Sequence, residues 1–508
     1  MGEFRAVLVN PPHSLRERYG GMRAAGNTMP ALGLLQLAAG LRNTGSTVTV
    51  VDAPARGLGF GATMREILAW NPAVVGMTAF TPSAGNAGHL AALIKDSRPR
   101  LPVILGGPHV SAVPEETLRR FSAFNAGVMG EGDARAPEAL RRLALEGGDL
   151  SGIPGLVLGA KSLRGFGDRQ ASLAGADIIR TPGKPEPVRD LDSLPFPAWD
   201  LAPGFPSAYS PAAHTYRRLP AATMFTTRGC PEQCAFCDRG VFGNTIRAHS
   251  AEYVVDQMGL LAGRFGVKDI TIYDDAFPLL KPRLMRICEL IRKRGLDLTW
   301  SCNSRAGLAD RESLSAMRAA GCWQIGYGIE SGDQAILDRI RKRLKLEEIE
   351  LAVRLTEEAG IRTKGFFMIG HPGETLETIR CTIEFALRLP LSDYQTCFFT
   401  PFPGTAASAE AEKWGELEDA WDRMNLLYPV FVPFGLTRAE LAWRAASSYR
   451  EFYLRPRIVM RYLAEARNPG RAIKILRGGA ALLTAMSHAW LGRVRQRLTG
   501  LRKPSPVP

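Results

Sequence analysis

The chain has 508 residues, 45% of them hydrophobic and 22% charged, which is the composition of a globular protein of about three domains and excludes a disordered one. No apolar run approaches the ~20 residues of a membrane span, and the amino-terminal MGEFRAVLVNPP lacks the basic start and apolar stretch of a secretory signal. Eight cysteines, three of them between positions 230 and 237, suit a reducing cytoplasm and a metal site rather than a disulfide scaffold, and the net charge of +14 is concentrated at residues 444–503, where 14 Lys and Arg face two Glu.

Residues 1–145 alternate short apolar runs with helical patterns. The runs are 5–10 (RAVLVN), 47–52 (TVTVVD), 73–80 (AVVGMTAF), 102–107 (PVILGG) and 126–130 (AGVMG). Continuous apolar strands separated by helices predict a doubly wound, five-stranded parallel sheet. Such sheets bind ligands at the carboxyl ends of their strands. Those ends carry Asn10, Pro11, Thr78, Phe80, Thr81, Gly106, Gly107, Pro108, His109, Gly130, Glu131 and Gly132. The glycines would let a large ligand approach the backbone.

Residues 146–218 are rich in Gly and Pro and read as a linker with one hairpin, whose Phe196 and Trp199 dock on a neighbouring domain. Residues 219–405 repeat the strand–helix alternation, with strands at 222–227, 269–275, 298–305, 324–331, 363–370 and 394–400. Six such units fall short of a closed eight-stranded barrel and predict an open, partial one with its site at the carboxyl-terminal mouth. Residues 406–508 read as mainly helical.

The strongest chemical signal is Thr227-Arg228-Gly229-Cys230-Pro231-Glu232-Gln233-Cys234-Ala235-Phe236-Cys237, just after the first strand of the second unit. Three thiols at Cys-x3-Cys-x2-Cys can hold one corner of a compact iron–sulfur cluster and leave its fourth iron open to a substrate. Zinc held by these cysteines and a distant histidine is the alternative reading. Cys288, Cys302, Cys322, Cys381 and Cys397 show no paired spacing and read as small buried residues.

This segment resembles the cluster loop of the radical S-adenosylmethionine (SAM) superfamily. The likeness extends to Asp274-Asp275-Ala276-Phe277, Gly328-Ile329-Glu330-Ser331-Gly332 and the run GFFMIGHPGET at 365–375. The amino-terminal unit, with its NPP, PALGLLQLAAGL, LGGPHVSAVPEE and GEGD segments, is similar to the cobalamin-binding domain that many such enzymes carry.

The resemblance implies a cobalamin-dependent radical enzyme, with Cys230, Cys234 and Cys237 ligating a [4Fe-4S] cluster. SAM would meet Phe236, Asp274, Asp275, Arg305, Gly328, Glu330, Ser331, Gly370, Pro372 and Gly373. For Phe236 the alternative is loop packing, and for Arg305 and Glu330 an ion pair. The Gly-Gly-Glu run of many relatives is absent where Asp274 and Asp275 stand. Cobalamin would rest on the strand-end residues of the first unit. His13 lacks the Asp-x-His-x-x-Gly context of a cobalt ligand, and His109 would line the pocket.

The implied reaction is C-methylation of an unactivated carbon. A 5′-deoxyadenosyl radical would abstract hydrogen, and methylcobalamin would donate the methyl. An oxidative cyclase or hydroxylase acting on a tetrapyrrole or lipid-like substrate is the alternative enzyme, and a non-catalytic cobalamin or iron–sulfur module the alternative outside enzymes. The expected partners are an apolar small-molecule substrate and a low-potential reductant of the flavodoxin or ferredoxin type.

The basic tail adds one more expectation. The stretch GGAALLTAMSHAWLG at 478–492 is apolar, too short to span a bilayer, and flanked by arginines. It suits a helix lying on an anionic membrane surface, and so a cytoplasmic protein held peripherally at the inner face. Nucleic acid is the lesser reading, since no aromatics interleave the charges.

Overall fold

A computed structural model describes residues 4–145, 148–159, 178–183, 185–212, 215–465 and 479. The first sheet begins with β1 (Arg5–Asn10), β2 (Thr47–Asp52), β3 (Val74–Thr78), β4 (Val103–Gly106) and β5 (Ala126–Val128). These five are parallel, in the order β2-β1-β3-β4-β5. The apolar runs are continuous because both faces are covered. Ala6 and Leu8 pack to one side with the helices Leu32–Asn43 and Arg135–Leu145, and Val7 and Val9 to the other with the helix Ala84–Ser97. The chain leaves β1 in opposite directions toward β2 and β3, so a ligand crevice opens at the carboxyl ends there.

The expected five strands become seven. β6 (Leu156–Gly159) and β7 (Ile178–Arg180), both from the Pro/Gly-rich segment, add antiparallel to the edge at β5. The same segment touches both units. Ala198 N–H donates to the Leu35 carbonyl at 3.0 Å, Trp199 is fully buried, and the Phe196 ring meets Tyr253 at 4.7 Å.

The second unit opens with β8 (Ala221–Met224). A two-residue antiparallel pair, β9 (Thr227–Arg228) and β10 (Arg247–Ala248), follows and closes residues 229–246 into a loop. Then come β11 (Asp269–Ile272), β12 (Thr299–Ser304), β13 (Cys322–Glu330), β14 (Arg362–Ile369) and β15 (Asp393–Phe398). The sheet is parallel throughout, in the order β15-β14-β13-β12-β11-β8, and its edges do not pair: a six-stranded partial barrel. On β13 the outward residues meet the surrounding helices, as where the Tyr327 and Thr356 hydroxyls lie 2.7 Å apart. Gln324, Gly326, Gly328 and Glu330 alternate to the inner face.

The carboxyl-terminal region is less uniformly helical than its sequence suggests. A short hairpin, β16 (Gly415–Leu417) with β17 (Phe431–Pro433), precedes the helices Arg438–Tyr453 and Pro456–Glu465. Between those two strands, Trp421 crosses to the first sheet and joins its core beside Val75 and Leu105. The first helix lies along β15, where Tyr449 and Tyr453 hydroxyls donate to the Thr396 and Tyr394 carbonyls at 2.9 Å each. The apolar stretch at 478–492 lies outside the described residues.

Candidate active site at the barrel mouth

The cysteine loop is fixed by backbone. Gly229 has φ +82°, and a Cβ there would strike the Thr245 carbonyl oxygen, so only glycine turns the chain out of β9. Ala235 N–H donates to the Ile340 carbonyl at 2.9 Å, Ala407 N–H donates to the Ala235 carbonyl at 2.9 Å, and Cys237 N–H reaches the Cys234 carbonyl at 3.2 Å. Cys234 is buried, Cys230 half-buried and Cys237 exposed; all eight cysteines are free. Cys234 and Cys237 border a cavity of about 410 Å³ shared with Gln233, Asp238 and Arg341.

The Cys237 thiol hydrogen-bonds to Cys234, and Lys342 and Arg305 add positive field, which together push Cys234 toward the thiolate that binds metal. Among the described residues no three His, Cys, Asp or Glu side chains converge on a point that would hold one ion. Three thiols on one short loop, one of them drawn toward the thiolate, suit the irons of a cluster.

Beside the loop, β13 ends at Glu330, which holds φ +68°. Its carboxylate meets Lys342 Nζ at 2.8 Å, both side chains being about one-tenth exposed. A Cβ on Gly328 would lie 2.6 Å from Glu330 Oε1 and 2.9 Å from Lys342 Nζ, so this glycine makes room for the pair. Lys342 lies between Arg341 and Arg343, both left-handed at φ +57° and +52°, and its ammonium stands 5.9 Å from the Phe236 ring centre. Arg305 donates to the Lys342 and Arg343 carbonyls and lies 3.4 Å from Glu232, which ties this turn to the cysteine loop.

Other expected site residues hold the frame. Asp274 is fully buried and accepts from Thr226 N–H at 2.6 Å and Thr227 N–H at 3.1 Å, bracing the step from β8 to β9; burial pushes its carboxyl up. Asp275 touches solvent at the mouth, yet the surrounding protein pushes its carboxyl up too, and its charge is felt at Cys230. The Ser331 hydroxyl lies 3.0 Å from that of Thr382 and accepts from Asp333 N–H at 3.1 Å. After β14 the chain folds onto its own Glu374, which accepts from the amides of Gly370 and His371. A Cβ on Gly370 would meet Leu441 at 3.4 Å, Gly373 faces Arg339, and the Pro372 carbonyl accepts from Arg339 at 3.1 Å. These three residues contact protein rather than an open cradle.

At the mouth of the first sheet, Asn10 Nδ2 donates to Asp52 at 2.9 Å, and Pro11 is buried behind it. Gly107 has φ +104° and packs where a Cβ would stand 2.8 Å from both the Ala79 carbonyl oxygen and Thr78 Oγ1. Ala79 N–H donates to the Gly106 carbonyl at 3.2 Å, and Pro108 starts the helix Pro108–Ala112. His109 is fully buried; its Nδ1 is 3.3 Å from Thr81 Oγ1, its ring meets Trp421 at 4.4 Å, and burial lowers its pKa to about 4. Phe80 stands 64% exposed at the same mouth, an apolar ring with no protein cover.

Glu131 is engaged by arginines of the second unit. Its carboxylate meets Arg228 at 3.1 Å and also Arg247, while Asp133 meets Arg228 at 2.7 Å. Gly130 N–H donates to Ser111 Oγ at 3.0 Å, and the Gly132 carbonyl starts the helix Arg135–Leu145 by accepting from Ala136 N–H. Thus the two strands flanking the cysteine loop pass their arginines to the acidic end of β5. Tyr19 lies near enough to Tyr273, at the end of β11, to add to the rise of its phenol pKa. Sequence reading missed Lys342 and the crossing role of Arg228 and Arg247; an arginine two residues before Cys230 was the available signal.

The two units match known families. Residues 224–386 match the Radical SAM superfamily and residues 20–140 the B12 binding domain. An uncharacterised methyltransferase of Pyrococcus horikoshii is 31% identical over 92% of this chain and 96% of its own length. The anaerobic magnesium-protoporphyrin IX monomethyl ester cyclase of Rubrivivax gelatinosus is 28% identical over 89% of this chain and 78% of its own. Among solved structures, the fold is shared with OxsB, a cobalamin-dependent SAM radical enzyme (TM-score 0.70, 16% identity, 99% of this chain and 82% of that one). It is shared also with the radical SAM methyltransferase TsrM of Kitasatospora setae (TM-score 0.63, 23% identity, 82% and 80%).

The fold and site thus define a radical SAM enzyme. Within that class the chain belongs to the cobalamin-binding family, whose cofactors are a [4Fe-4S] cluster, SAM and cobalamin.

Proposed function

We propose that this enzyme methylates an unactivated carbon of a small molecule, with Cys230, Cys234 and Cys237 as the cluster ligands. The observation that carries the reading is the bridge from Arg228 and Arg247 to Glu131 and Asp133, which brings the cysteine loop and the first sheet's strand ends to one cleft. The near full-length relative named as a methyltransferase favours methylation over cyclisation. When bound, the cluster, SAM and cobalamin supply the radical and the methyl group; the protein orients them and excludes water.

Each residue has a task in this reading. Lys342 sets a positive charge beside the cysteine loop, suited to a SAM carboxylate, and Glu330 offers acceptors to an amino or hydroxyl group. Phe80 and Phe225, 64% and 46% exposed, offer apolar faces at the two mouths for the corrin and the substrate. Asn10, Pro11, Thr78, Thr81, Gly106, Gly107, Pro108, His109, Gly130 and Gly132 shape the cobalamin floor. Asp275 faces the cluster, while Asp274, Arg305, Ser331, Gly370, Pro372 and Gly373 hold the SAM pocket in shape.

Anaerobically reconstituted protein given reductant and methyl-labelled SAM should release 5′-deoxyadenosine and show absorbance near about 400 nm. Cys234→Ala should lose both. Label recovered in a small-molecule product marks methylation, and unlabelled product would overturn it.

For location, no helix among the described residues is long and apolar enough to cross a membrane. We place the carboxyl-terminal region against an anionic membrane surface. Leu454, Met460 and Leu463 are 60–69% exposed on and beside the helix Pro456–Glu465, interleaved with Arg455, Arg457 and Arg461. Deleting residues 470–508 should weaken flotation with anionic liposomes and spare cofactor binding; unchanged flotation would reject this placement.

A further inference from the structure

The partial barrel has a floor and, one step above it, a lysine whose ammonium meets an aromatic ring but no anion. At the floor the Trp323 indole N–H donates to Asp269 at 3.4 Å, and the Arg362 guanidinium covers the indole at 5.8 Å. Above this, strand register aligns Asn303 of β12, Gly326 of β13 and Lys364 of β14 in one row. Lys364 shares its strand face with Phe366, one pleat nearer the mouth. Its ammonium lies 4.7 Å from the Phe366 ring centre, so the side chain bends upward, into the barrel.

Lys364 is 6% exposed, and among the described residues no hydrogen bond or ion pair reaches its Nζ. Burial lowers its pKa, and Asp393 is the charge that opposes this. An ammonium held away from water with no anion bonded to it is unfavourable, and the Phe366 ring offsets this only in part. A second polar group points the same way. Gln324, on the inner face next to this row, is 5% exposed, and its Nε2 is buried with no acceptor. Asn303 and Phe366 are only half-buried although they lie inside the barrel, so the space above Lys364 is open. The absent Cβ of Gly326 lets Phe366 and Asn303 Oδ1 close over it, at 2.6 and 2.8 Å from where a Cβ would stand. Two donors without a hydrogen-bond acceptor and an aromatic face therefore stand on neighbouring rows of the inner barrel face.

We propose that Lys364 and Gln324, beside Phe366, form a subsite for the anionic oxygens of the substrate, a carboxylate or phosphate borne on an apolar body. The ammonium supplies the charge, the Gln324 amide a directed hydrogen bond, and Phe366 a surface for the adjoining apolar carbons. This refines the expectation of an apolar substrate by giving it one charged end held deep in the barrel. It rests on the proposed radical chemistry only for its place in the reaction.

Matched probes test it: octanoate, octyl phosphate and octanol, titrated calorimetrically into the reconstituted holoenzyme without reductant. The anions should bind at least 10-fold more tightly than octanol, and whichever of octanoate and octyl phosphate binds better identifies the oxyanion. Lys364→Met should erase that preference, and Lys364→Arg should keep most of it. Both variants should keep the wild-type circular dichroism spectrum and the cluster absorbance, which shows that they fold. Equal binding of anions and octanol, absence of binding by all three, or an anion preference that survives Lys364→Met would overturn the subsite. Failure of the wild type to release 5′-deoxyadenosine would overturn the radical chemistry instead, and leaves the probe comparison to decide the subsite by itself.

Discussion

The Glu330–Lys342 pair shows how one residue can commit its neighbours. Removing one partner of a buried ion pair leaves the other charge uncompensated, at a cost of about 3–5 kcal/mol, while removing both is often much cheaper. Lys342→Met should therefore destabilise the protein by about 3 kcal/mol in urea unfolding and weaken SAM binding. The double variant Glu330→Gln/Lys342→Met should recover much of the stability but not the SAM affinity. Equal losses in single and double variants would mean that the pair is not coupled. Glu330 was legible as a site candidate because it ends a strand beside a glycine. Lys342 was not, because it reaches Glu330 only through the left-handed turn at Arg341 and Arg343, which no periodicity announces. Glu131 presents a related ambiguity. A carboxylate at a strand end reads the same whether a ligand or an arginine from another unit takes it.

At the scale of an element, the turn after β14 is built around an acid that has little water. Burial raises Glu374 from the ordinary 4.5 to about 8, and only one of its oxygens is bonded, to two backbone amides. Between those values the folded chain keeps a proton that the unfolded chain releases, so this group's contribution to stability falls as pH rises from 4.5 to 8. Relative to Glu374→Gln, the wild type should lose stability across that window, by up to about 1.4 kcal/mol per pH unit. Urea midpoints at pH 5 and pH 8 measure it, and parallel pH profiles would refute it. The neighbouring His371, lowered by burial to about 4, contributes with the opposite sign below 6.5 and cancels in the comparison. The GHPGE run was visible in sequence and drew attention to its glycines. Its shape comes from Glu374 turning back on the loop and from Arg339 behind Gly373, contacts that only the folded chain supplies.

At the scale of the whole molecule, the segments that hold the two units together include, among the described residues, the arginines of β9 and β10, the Phe196–Trp199 stretch, and Trp421. Arg228 is about one-tenth exposed and faces two carboxylates, so Arg228→Met should cost about 3 kcal/mol and lower cobalamin affinity, while leaving the cluster's absorbance in place. Cobalamin titration followed by cluster spectra checks both, and unchanged affinity would separate the bridge from the cofactor. Both parallel sheets and the cysteine loop were readable in order, because buried β strands and helical faces carry their periods locally and a three-thiol loop carries its chemistry in its spacing. The pairing of the linker's hairpin with the first sheet, the insertion of Trp421, the arginine bridge and the place of Lys364 inside the barrel were not readable. Each depends on residues far apart in the chain meeting in space, and that meeting is decided by how the two sheets pack, which the tertiary structure alone determines.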